Sequence, residues 1–150
     1  MRMVTKAKLD EKDEIIVKML MENARTPLSD IAKELEISDV AVRKRVTKLE
    51  KMGVLLGYTA KVDPRALGYE VISLTGIDVE SENLLAVAQE VTNKPYARSV
   101  SITTGDHAIM VEIWARDGDE MSKIIKEISG LPGVKRICPA IIMDFLKRRC

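Results

Sequence analysis

The chain has 150 residues, of which 46% are hydrophobic and 31% charged, a balance that suits one or two small globular domains with a polar surface. No run approaches the roughly 18 uninterrupted apolar residues of a membrane span, and the amino terminus leads into a charged segment, which is unlike a secretory signal. We therefore expect a cytoplasmic protein with no membrane partner. The formal net charge of +1 neither favours nor excludes nucleic acid, so the local distribution of charge is more informative.

Metal and nucleophile chemistry have few residues to draw on. The chain has two cysteines, Cys138 and Cys150, which are not at metal-ligand spacing, and one histidine, His107. We expect no metal, no cofactor, no catalytic residue and no enzyme activity. An enzyme built on carboxylates is a minor alternative. Nothing in the sequence brings together the four acids that fall on predicted strands: Asp78, Glu80, Glu112 and Asp144.

The first 52 residues have the apolar periodicity of three helices. We expect Asp10 to cap the first, in which Ile16, Met19 and Leu20 follow helical spacing. Thr26-Pro27 is expected to begin the second, with the threonine as N-cap and the proline as the first helical residue. The helical spacing of its apolar residues predicts that the buried stripe of this second helix consists of Leu28, Ile31, Ala32 and Leu35.

The third helix follows the second after a tight turn at Glu36-Ile37. Ser38 is expected to cap it and Gly53 to end it, with Val42, Val46 and Leu49 on its buried side. Between residues 38 and 51 there are five basic residues against two acidic ones, a local balance of +3. Two short helices joined so tightly, the second one basic, predict a helix-turn-helix.

The segment after Gly53 changes character. Val54–Asp63 is β-like with a glycine in its middle, which predicts the wing of a winged helix-turn-helix. Residues 64–69 are expected to be a linker that begins at Pro64. The predicted domains are a DNA-binding domain over residues 1–63 and a second domain over residues 70–150.

The second domain has the predicted order β-α-β-β-α-β. β-like runs begin at Val71, Ser99, Ile109 and Val134, and apolar residues at helical spacing follow the first and third runs. This order predicts an α+β, ferredoxin-like domain with both helices on one face of an antiparallel sheet. The last strand, expected to reach about Leu146, is apolar on both sides. We therefore expect the open face to be covered by a second copy of the chain, giving a homodimer.

The whole pattern resembles the Lrp/AsnC, or feast/famine, family of bacterial and archaeal regulators. The scarcity of Gln and Asn beside many Lys and Glu fits a thermophile, and together with the resemblance it implies a thermophilic archaeon. The residues that carry the resemblance are Leu9-Asp10, Asp13, Ile16, Asn23-Ala24-Arg25, Asp30-Ile31-Ala32, Leu35, Ile37-Ser38, Val42, Arg45-Val46, Leu49-Glu50, Gly53-Val54, Gly57-Tyr58, Thr104-Gly105-Asp106 and Leu131-Pro132-Gly133-Val134. The resemblance implies a transcription regulator in which a DNA-binding domain is joined to a domain for effector sensing and assembly into dimers and octamers or other higher oligomers.

The third helix is the expected DNA-reading element. In helix-turn-helix proteins the first residues of this helix reach base edges, and later basic residues hold phosphates. Arg43 is the expected base reader, because arginine binds guanine O6 and N7 with two hydrogen bonds. Phosphate contacts are expected from Ser38, Arg45 and Lys48, and Asp39 and Lys44 share the outward side. Paired helices in a dimer predict a pseudopalindromic double-stranded operator.

The turn Thr103-Thr104-Gly105-Asp106-His107 is the expected effector site. The resemblance implies that this turn lines a pocket for a small effector, commonly an amino acid. Turn N–H groups suit a carboxylate, and Asp106 suits an ammonium group. The sequence departs from the family's Gly-Asp-Tyr-Asp, since His107 and Ala108 stand at the last two positions. A plain hairpin turn is the alternative.

Two further interpretations remain open. The chain could be a metabolite-binding regulatory module that acts through protein partners without specific DNA binding. A gel shift would separate this alternative from a DNA-binding regulator.

Trp114 is expected in the core or an interface, because five aromatic residues are too few for stacking single-stranded bases.

Overall fold

The computed structural model describes residues 7–147, which form two compact units that divide between Lys61 and Val62. The first unit is helical, and the second combines a sheet with two helices. The domain limits expected from the sequence (1–63, 64–69 and 70–150) stay predictions.

The first unit contains the three expected helices, α1 (Glu11–Glu22), α2 (Leu28–Leu35) and α3 (Asp39–Lys51). Each contributes one apolar stripe to a common core, because residues three and four apart share a helix face. Within this unit the buried apolar residues are Ile16, Leu20, Ile31, Ala32, Leu35, Val42, Val46 and Leu49. The three-helix prediction is confirmed.

The helix caps are confirmed at α1 and α3 and corrected at α2. Asp10 accepts a hydrogen bond from the backbone N–H of Asp13 at 2.8 Å and caps α1. The prediction that Thr26 caps α2 is wrong, since Pro27 occupies the N-cap position. The Thr26 hydroxyl instead donates to the carbonyl of Asn23 at 2.6 Å, so it satisfies the preceding turn and not the helix.

The wing expected over Val54–Asp63 is not formed as β-structure. The residues described between α3 and β1 include no strand, only turns, irregular backbone and one 3-10 turn at Arg65–Leu67. A wing needs an antiparallel partner to bond its N–H and C=O groups, and these residues have none in the unit described. The helix-turn-helix itself is confirmed.

The second unit contains β1 (Val71–Val79), α4 (Leu84–Thr92), β2 (Ala97–Ile102), β3 (Ile109–Ala115), α5 (Gly118–Ser129) and β4 (Val134–Ile141). The strands are antiparallel in the order β2-β3-β1-β4, which is the expected ferredoxin-like arrangement. The helices cover one face. Side chains that alternate along β3 from Ile109 to Ala115 pack beneath them with Val87, Val91 and Ile128.

The last strand is shorter than expected from its apolar pattern. Ile141, opposite Ser73, is the final paired residue of β4, and Ile142 adds one hydrogen bond to the carbonyl of Ile72 at 2.8 Å. The prediction of a strand to about Leu146 is wrong: β1 extends only two residues past this last pair, to Val71, so residues beyond Met143 have no position on β1 to pair with. The Arg65 guanidinium donates to the carbonyl of Met143 at 2.8 Å.

The sheet face opposite the helices carries the even-numbered residues of β1 and β3. Near the chain connector it is covered: Ile72 is 1% exposed, and Tyr69 lies against Trp114 with ring centroids 5.5 Å apart. Further along, Leu74 is 44% exposed. Part of this face therefore remains open in a single copy of the chain.

Candidate functional site

α3 is positioned by a cap at its start and a left-handed turn before it. The Ser38 hydroxyl accepts a hydrogen bond from the N–H of Ala41 at 3.1 Å. Glu36 adopts the left-handed conformation with φ 52°, which is rare for a residue other than glycine and reverses the chain between α2 and α3. The N-terminal end of α3 is thereby exposed, with Ser38, Asp39 and Val40 all open to solvent.

The solvent-exposed face of α3, which we call the α3 outer face, carries five residues at helical spacing. They are Val40, Arg43, Lys44, Thr47 and Lys51, at i, i+3, i+4, i+7 and i+11. Among the described residues, the ion pairs formed by α3 involve Arg45 and Lys48 and none of these three basic side chains. Their charges are therefore available to an external anion.

Sequence reasoning identified Arg43 and Lys44 on this face but missed Val40, Thr47 and Lys51. Val40 is 65% exposed at the first turn of α3, where an apolar side chain has no core to fill. Its methyl groups suit the methyl group of thymine. The signal was available in the sequence, because these three residues share the spacing of Arg43.

Arg45 and Lys48 lie on the flank of α3 that faces α1. The Arg45 guanidinium bonds Asp10 and Asp13, both at 2.7 Å, and the Lys48 ammonium bonds Asp13 at 3.2 Å. Asp13 is 0% exposed. Arg45 and Lys48 thus join two helices, whereas Arg43 and Lys44 form no such bond within the described residues. Lys48 is nevertheless 53% exposed and borders the α3 outer face. The phosphate contacts expected from Arg45 and Lys48 stay predictions.

The charge cluster shifts the titration of its members. Hydrogen bonding from Arg45 holds the pKa of Asp10 below its usual range. Burial acts to raise the pKa of Asp13, but hydrogen bonds from Arg45 and Lys48 outweigh it, and the net pKa is lowered. The same hydrogen bonds raise the pKa of Arg45. Both carboxylates are therefore ionised at neutral pH, and α1 and α3 are held together by opposite charges.

The second candidate site, the turn Thr103–His107, joins β2 to β3. Thr103 closes its base twice, with its N–H donating to the carbonyl of Ala108 at 2.9 Å and its hydroxyl donating to the carbonyl of His107 at 2.7 Å. Thr104, Gly105 and Asp106 form an exposed tip. Gly105 has φ 110°, a conformation that favours glycine.

His107 does not point outward with the rest of this turn. Its Nδ1 lies 2.8 Å from Asp78 of β1, and the Arg136 Nε of β4 donates to the other oxygen of Asp78 at 2.7 Å. The bond with His107, followed by the bond with Arg136, holds the pKa of the Asp78 carboxyl below its usual range. Of the five residues expected to bind an effector, the structure exposes Thr104, Gly105 and Asp106 together and directs His107 toward the sheet.

The remaining candidate residues give no chemical centre. Across residues 7–147, no group of three or more His, Cys, Asp or Glu side chains is placed to hold a metal ion. Asp78 and Glu112 lie on strands, but Glu80 and Asp144 lie beyond strand ends, so the proposed set of strand carboxylates is not formed. The same residues contain no helix long and apolar enough to cross a membrane.

Trp114 matches its sequence-based interpretation, and the cysteines are described by their surroundings. Trp114 is 8% exposed, as expected for a core residue, and the Arg98 guanidinium lies 4.3 Å from its ring centroid. Cys138 is a half-buried free thiol in β4, and Cys150 lies outside the described residues. Neither Trp114 nor Cys138 therefore adds to either candidate site.

Comparison with known proteins agrees with this geometry over nearly the whole chain. A family model described as an AsnC-type helix-turn-helix domain matches residues 9–50, and one described as an Lrp/AsnC ligand binding domain matches residues 73–150. The HTH-type transcriptional regulator LrpA of Pyrococcus horikoshii is 45% identical over 140 residues, covering 93% of this chain and 99% of its own length.

Solved structures give the same result. AsnC of E. coli superimposes with a TM-score of 0.84 at 25% identity, covering 96% of this chain and 98% of its own. A transcriptional regulator of Neisseria meningitidis, solved as a complex with L-Met, superimposes with a TM-score of 0.82 at 19% identity, covering 95% and 94%. At that identity the second likeness shows the fold alone.

Proposed function

Since the chain belongs to the Lrp/AsnC family of transcription regulators, we propose that it reads a double-stranded operator through the α3 outer face. The observation that carries this proposal is the stripe from Val40 to Lys51, which is exposed and whose Arg43, Lys44 and Lys51 form no ion pair within the described chain. An exposed basic helix after a tight turn enters the major groove in helix-turn-helix proteins.

Residues along the α3 outer face have different roles in this proposal. Arg43 reads a guanine, because its fork of donors matches O6 and N7, and Val40 contacts a thymine methyl group. Ser38, Lys44 and Lys51 hold phosphates, which position the helix without specifying sequence. Asp39, at the start of the helix, can accept from a cytosine amino group.

The direct test is selection of binding sites from random DNA, followed by measurement of Arg43→Ala on the selected operator. We expect a loss of about 1–3 kcal/mol of specific binding and relaxed preference at one operator position. Lys44→Ala is the matched control and should weaken operator and random DNA alike. If Arg43→Ala also weakened both equally, Arg43 would be a phosphate contact. If wild type selected no sequence, the regulator would act through protein partners instead.

We propose further that the exposed tip of the turn Thr103–His107 binds a small amino acid or a related metabolite. Thr104, Gly105 and Asp106 lie together at this tip, where backbone N–H groups are open to a carboxylate and Asp106 to an ammonium group. A structural relative that was solved with L-Met supports an amino acid as the class of effector.

A thermal-shift screen of the twenty amino acids tests the effector. At least one should raise the unfolding temperature of wild type, since a ligand that binds only the native state stabilises it. Asp106→Asn keeps the shape of the side chain but removes its charge, so it should reduce the shift. If no amino acid shifts wild type, the effector proposal fails.

We propose that the open face of the sheet pairs with a second copy, giving a homodimer that assembles further. Leu74 on this face is a large apolar side chain that is 44% exposed, and Ala140, its paired residue on β4, is exposed as well. Light scattering after gel filtration at micromolar concentration should give a dimer, an octamer or another multiple. A uniform monomer would contradict the proposal.

A further inference from the structure

Gly76 in the central strand makes room for a side chain from the candidate effector turn. It lies on β1, paired with Met110 of β3 and Cys138 of β4. A Cβ built on Gly76 would stand 2.2 Å from Cδ2 and 2.4 Å from Cγ of His107, far closer than real Cβ contacts. Gly76 does not have a positive φ. The imidazole ring, and not an unusual backbone conformation, therefore explains glycine at this position.

A hydrogen bond to Asp78 holds the His107 ring over Gly76. Asp78 lies two residues from Gly76 and so on the same face of β1, where its ionised carboxylate accepts a hydrogen bond from Nδ1 of His107 at 2.8 Å. Arg136, the residue paired with Asp78 on β4, holds the other carboxylate oxygen at 2.7 Å. The side chains of His107 and Asp78 are 22% and 24% exposed, so water screens this contact only in part.

The backbone of His107 is also bonded to the residue at the other end of the turn. The His107 carbonyl accepts the hydroxyl of Thr103 at 2.7 Å, on the opposite side of the turn. By contrast, a Cβ on Gly105 at the tip would meet nothing within 4 Å. The contacts described thus lie at the base of the turn, at Thr103 and His107, and the space around Gly105 at the tip is open.

We propose that Gly76, Asp78 and Arg136 are positioning residues that hold the turn Thr103–His107 in one conformation through the His107 ring. We name this arrangement the His107 latch. Its importance for effector binding rests on the proposed function of the turn, whereas the latch itself does not. The conformation of the turn is set by the central strand, so a change in β1 reaches the tip without altering any tip residue.

A double-mutant cycle on the full-length protein tests the latch. Gly76→Ala displaces the ring and His107→Ala removes it, so each should expose the same hydrogen bonds at the base of the turn. We expect amide hydrogen exchange at Thr103 to become about tenfold faster in either variant, as for a local opening made about 1.4 kcal/mol easier. The double variant should be no faster than either single one, because both changes remove one contact. Gly118→Ala is the control, since a Cβ there meets nothing within 4 Å.

Additive rates in the double variant, or unchanged exchange in His107→Ala, would overturn the latch. The imidazole signals give a second readout, because His107 is the only histidine in the chain. Gly76→Ala and Asp78→Ala should both move these signals in the NMR spectrum, and Gly118→Ala should not. Should Gly76→Ala fail to fold, His107→Ala decides the outcome by hydrogen exchange at Thr103, and Asp78→Ala by both measurements.

The effector is tested separately with the amino acid that gives the largest thermal shift on wild type. Gly76→Ala should reduce that shift, although Gly76 lies beneath the ring and away from the exposed tip. If wild type responds to no amino acid, the effector proposal fails while exchange at Thr103 still decides the latch. A full shift in Gly76→Ala, with the imidazole signals displaced, would show that the turn needs no positioning and would overturn the inference.

Discussion

Each unit of the chain contains one carboxylate that bridges two basic side chains, and the two bridges differ in burial. Asp13 in α1 is 0% exposed and bonds Arg45 at 2.7 Å and Lys48 at 3.2 Å. Asp78 in β1 is 24% exposed and bonds His107 at 2.8 Å and Arg136 at 2.7 Å. The geometry of the two bridges is therefore similar, and their access to water is not.

The difference in burial between Asp13 and Asp78 predicts different effects when either carboxylate is removed. A charge that loses its partner in a buried site cannot be compensated by water, so removing one member is strongly destabilising. A partly exposed charge that loses its partner is solvated by water instead. Removing the partner therefore costs little stability and mainly changes the orientation of the side chains. We infer that the cluster around Asp13 holds α1 and α3 together, whereas the cluster around Asp78 orients one turn.

Asp13→Ala should give the largest loss of stability. It removes a buried carboxylate with its bonds to Arg45 and Lys48, while Arg45 keeps Asp10, so we expect the free energy of unfolding to fall by about 2 kcal/mol. Urea unfolding of the full-length protein, followed by circular dichroism, measures the change. Asp78→Ala is the matched variant of the second unit and should lose clearly less. Equal losses in both variants would refute the distinction between the two clusters.

The next largest effect is a difference between Lys51 and Arg45 in the salt dependence of DNA binding. The Arg45 guanidinium is engaged by Asp10 and Asp13, whereas Lys51 on the α3 outer face has no ion pair within residues 7–147. Lys51→Ala should lower the slope of log affinity against log salt by about one, as for one phosphate contact. Arg45→Ala should leave that slope unchanged and lower stability instead. A reduced slope in Arg45→Ala would restore its predicted phosphate contact.

The acid limb of stability should depend on Asp13. Its pKa is lowered in the folded chain, so its contribution is fully present above the unfolded value of about 3.9 and is lost as pH falls through the folded value. We therefore expect wild type to lose more stability than Asp13→Asn between pH 5 and pH 3. Urea unfolding at a series of pH values measures this difference. Parallel curves would mean that Asp13 has the same pKa folded and unfolded.

Features of the fold that depend on residues close in sequence were predictable, and features that depend on residues far apart in sequence were not. The cap at Ser38, the stop at Gly53 and the buried stripe of α3 were predicted because each follows from neighbouring residues. The order of elements in the second unit was predicted for the same reason. The pairing of Arg45 with Asp13, 32 residues away, was not, because helical periodicity identifies a face but not the partner opposite it.

The candidate sites show the same limit. Sequence placed His107 with four other turn residues, but its inward direction depends on Gly76 in another strand. A glycine inside a strand pattern does indicate close approach of another group, so a signal was present. The last strand was overextended because its apolar pattern continues past Ile141, where pairing with β1 stops. Strand length depends on the partner, which periodicity does not specify.

Tyr96→Phe should have the smallest effect, and its sign is the informative part. The Tyr96 hydroxyl is buried and, unlike either carboxylate, has no hydrogen-bond partner in the described part of the chain. Burial is the main cause that raises its pKa to about 12. Removing an unsatisfied hydroxyl relieves a desolvation cost, so stability should be unchanged or rise by up to about 1 kcal/mol. Tyr58→Phe is the control and should lower stability, because that hydroxyl donates to Glu50 at 2.8 Å. A loss in Tyr96→Phe would imply that bound water satisfies the hydroxyl, and burial alone would then no longer distinguish costly polar groups from stabilising ones.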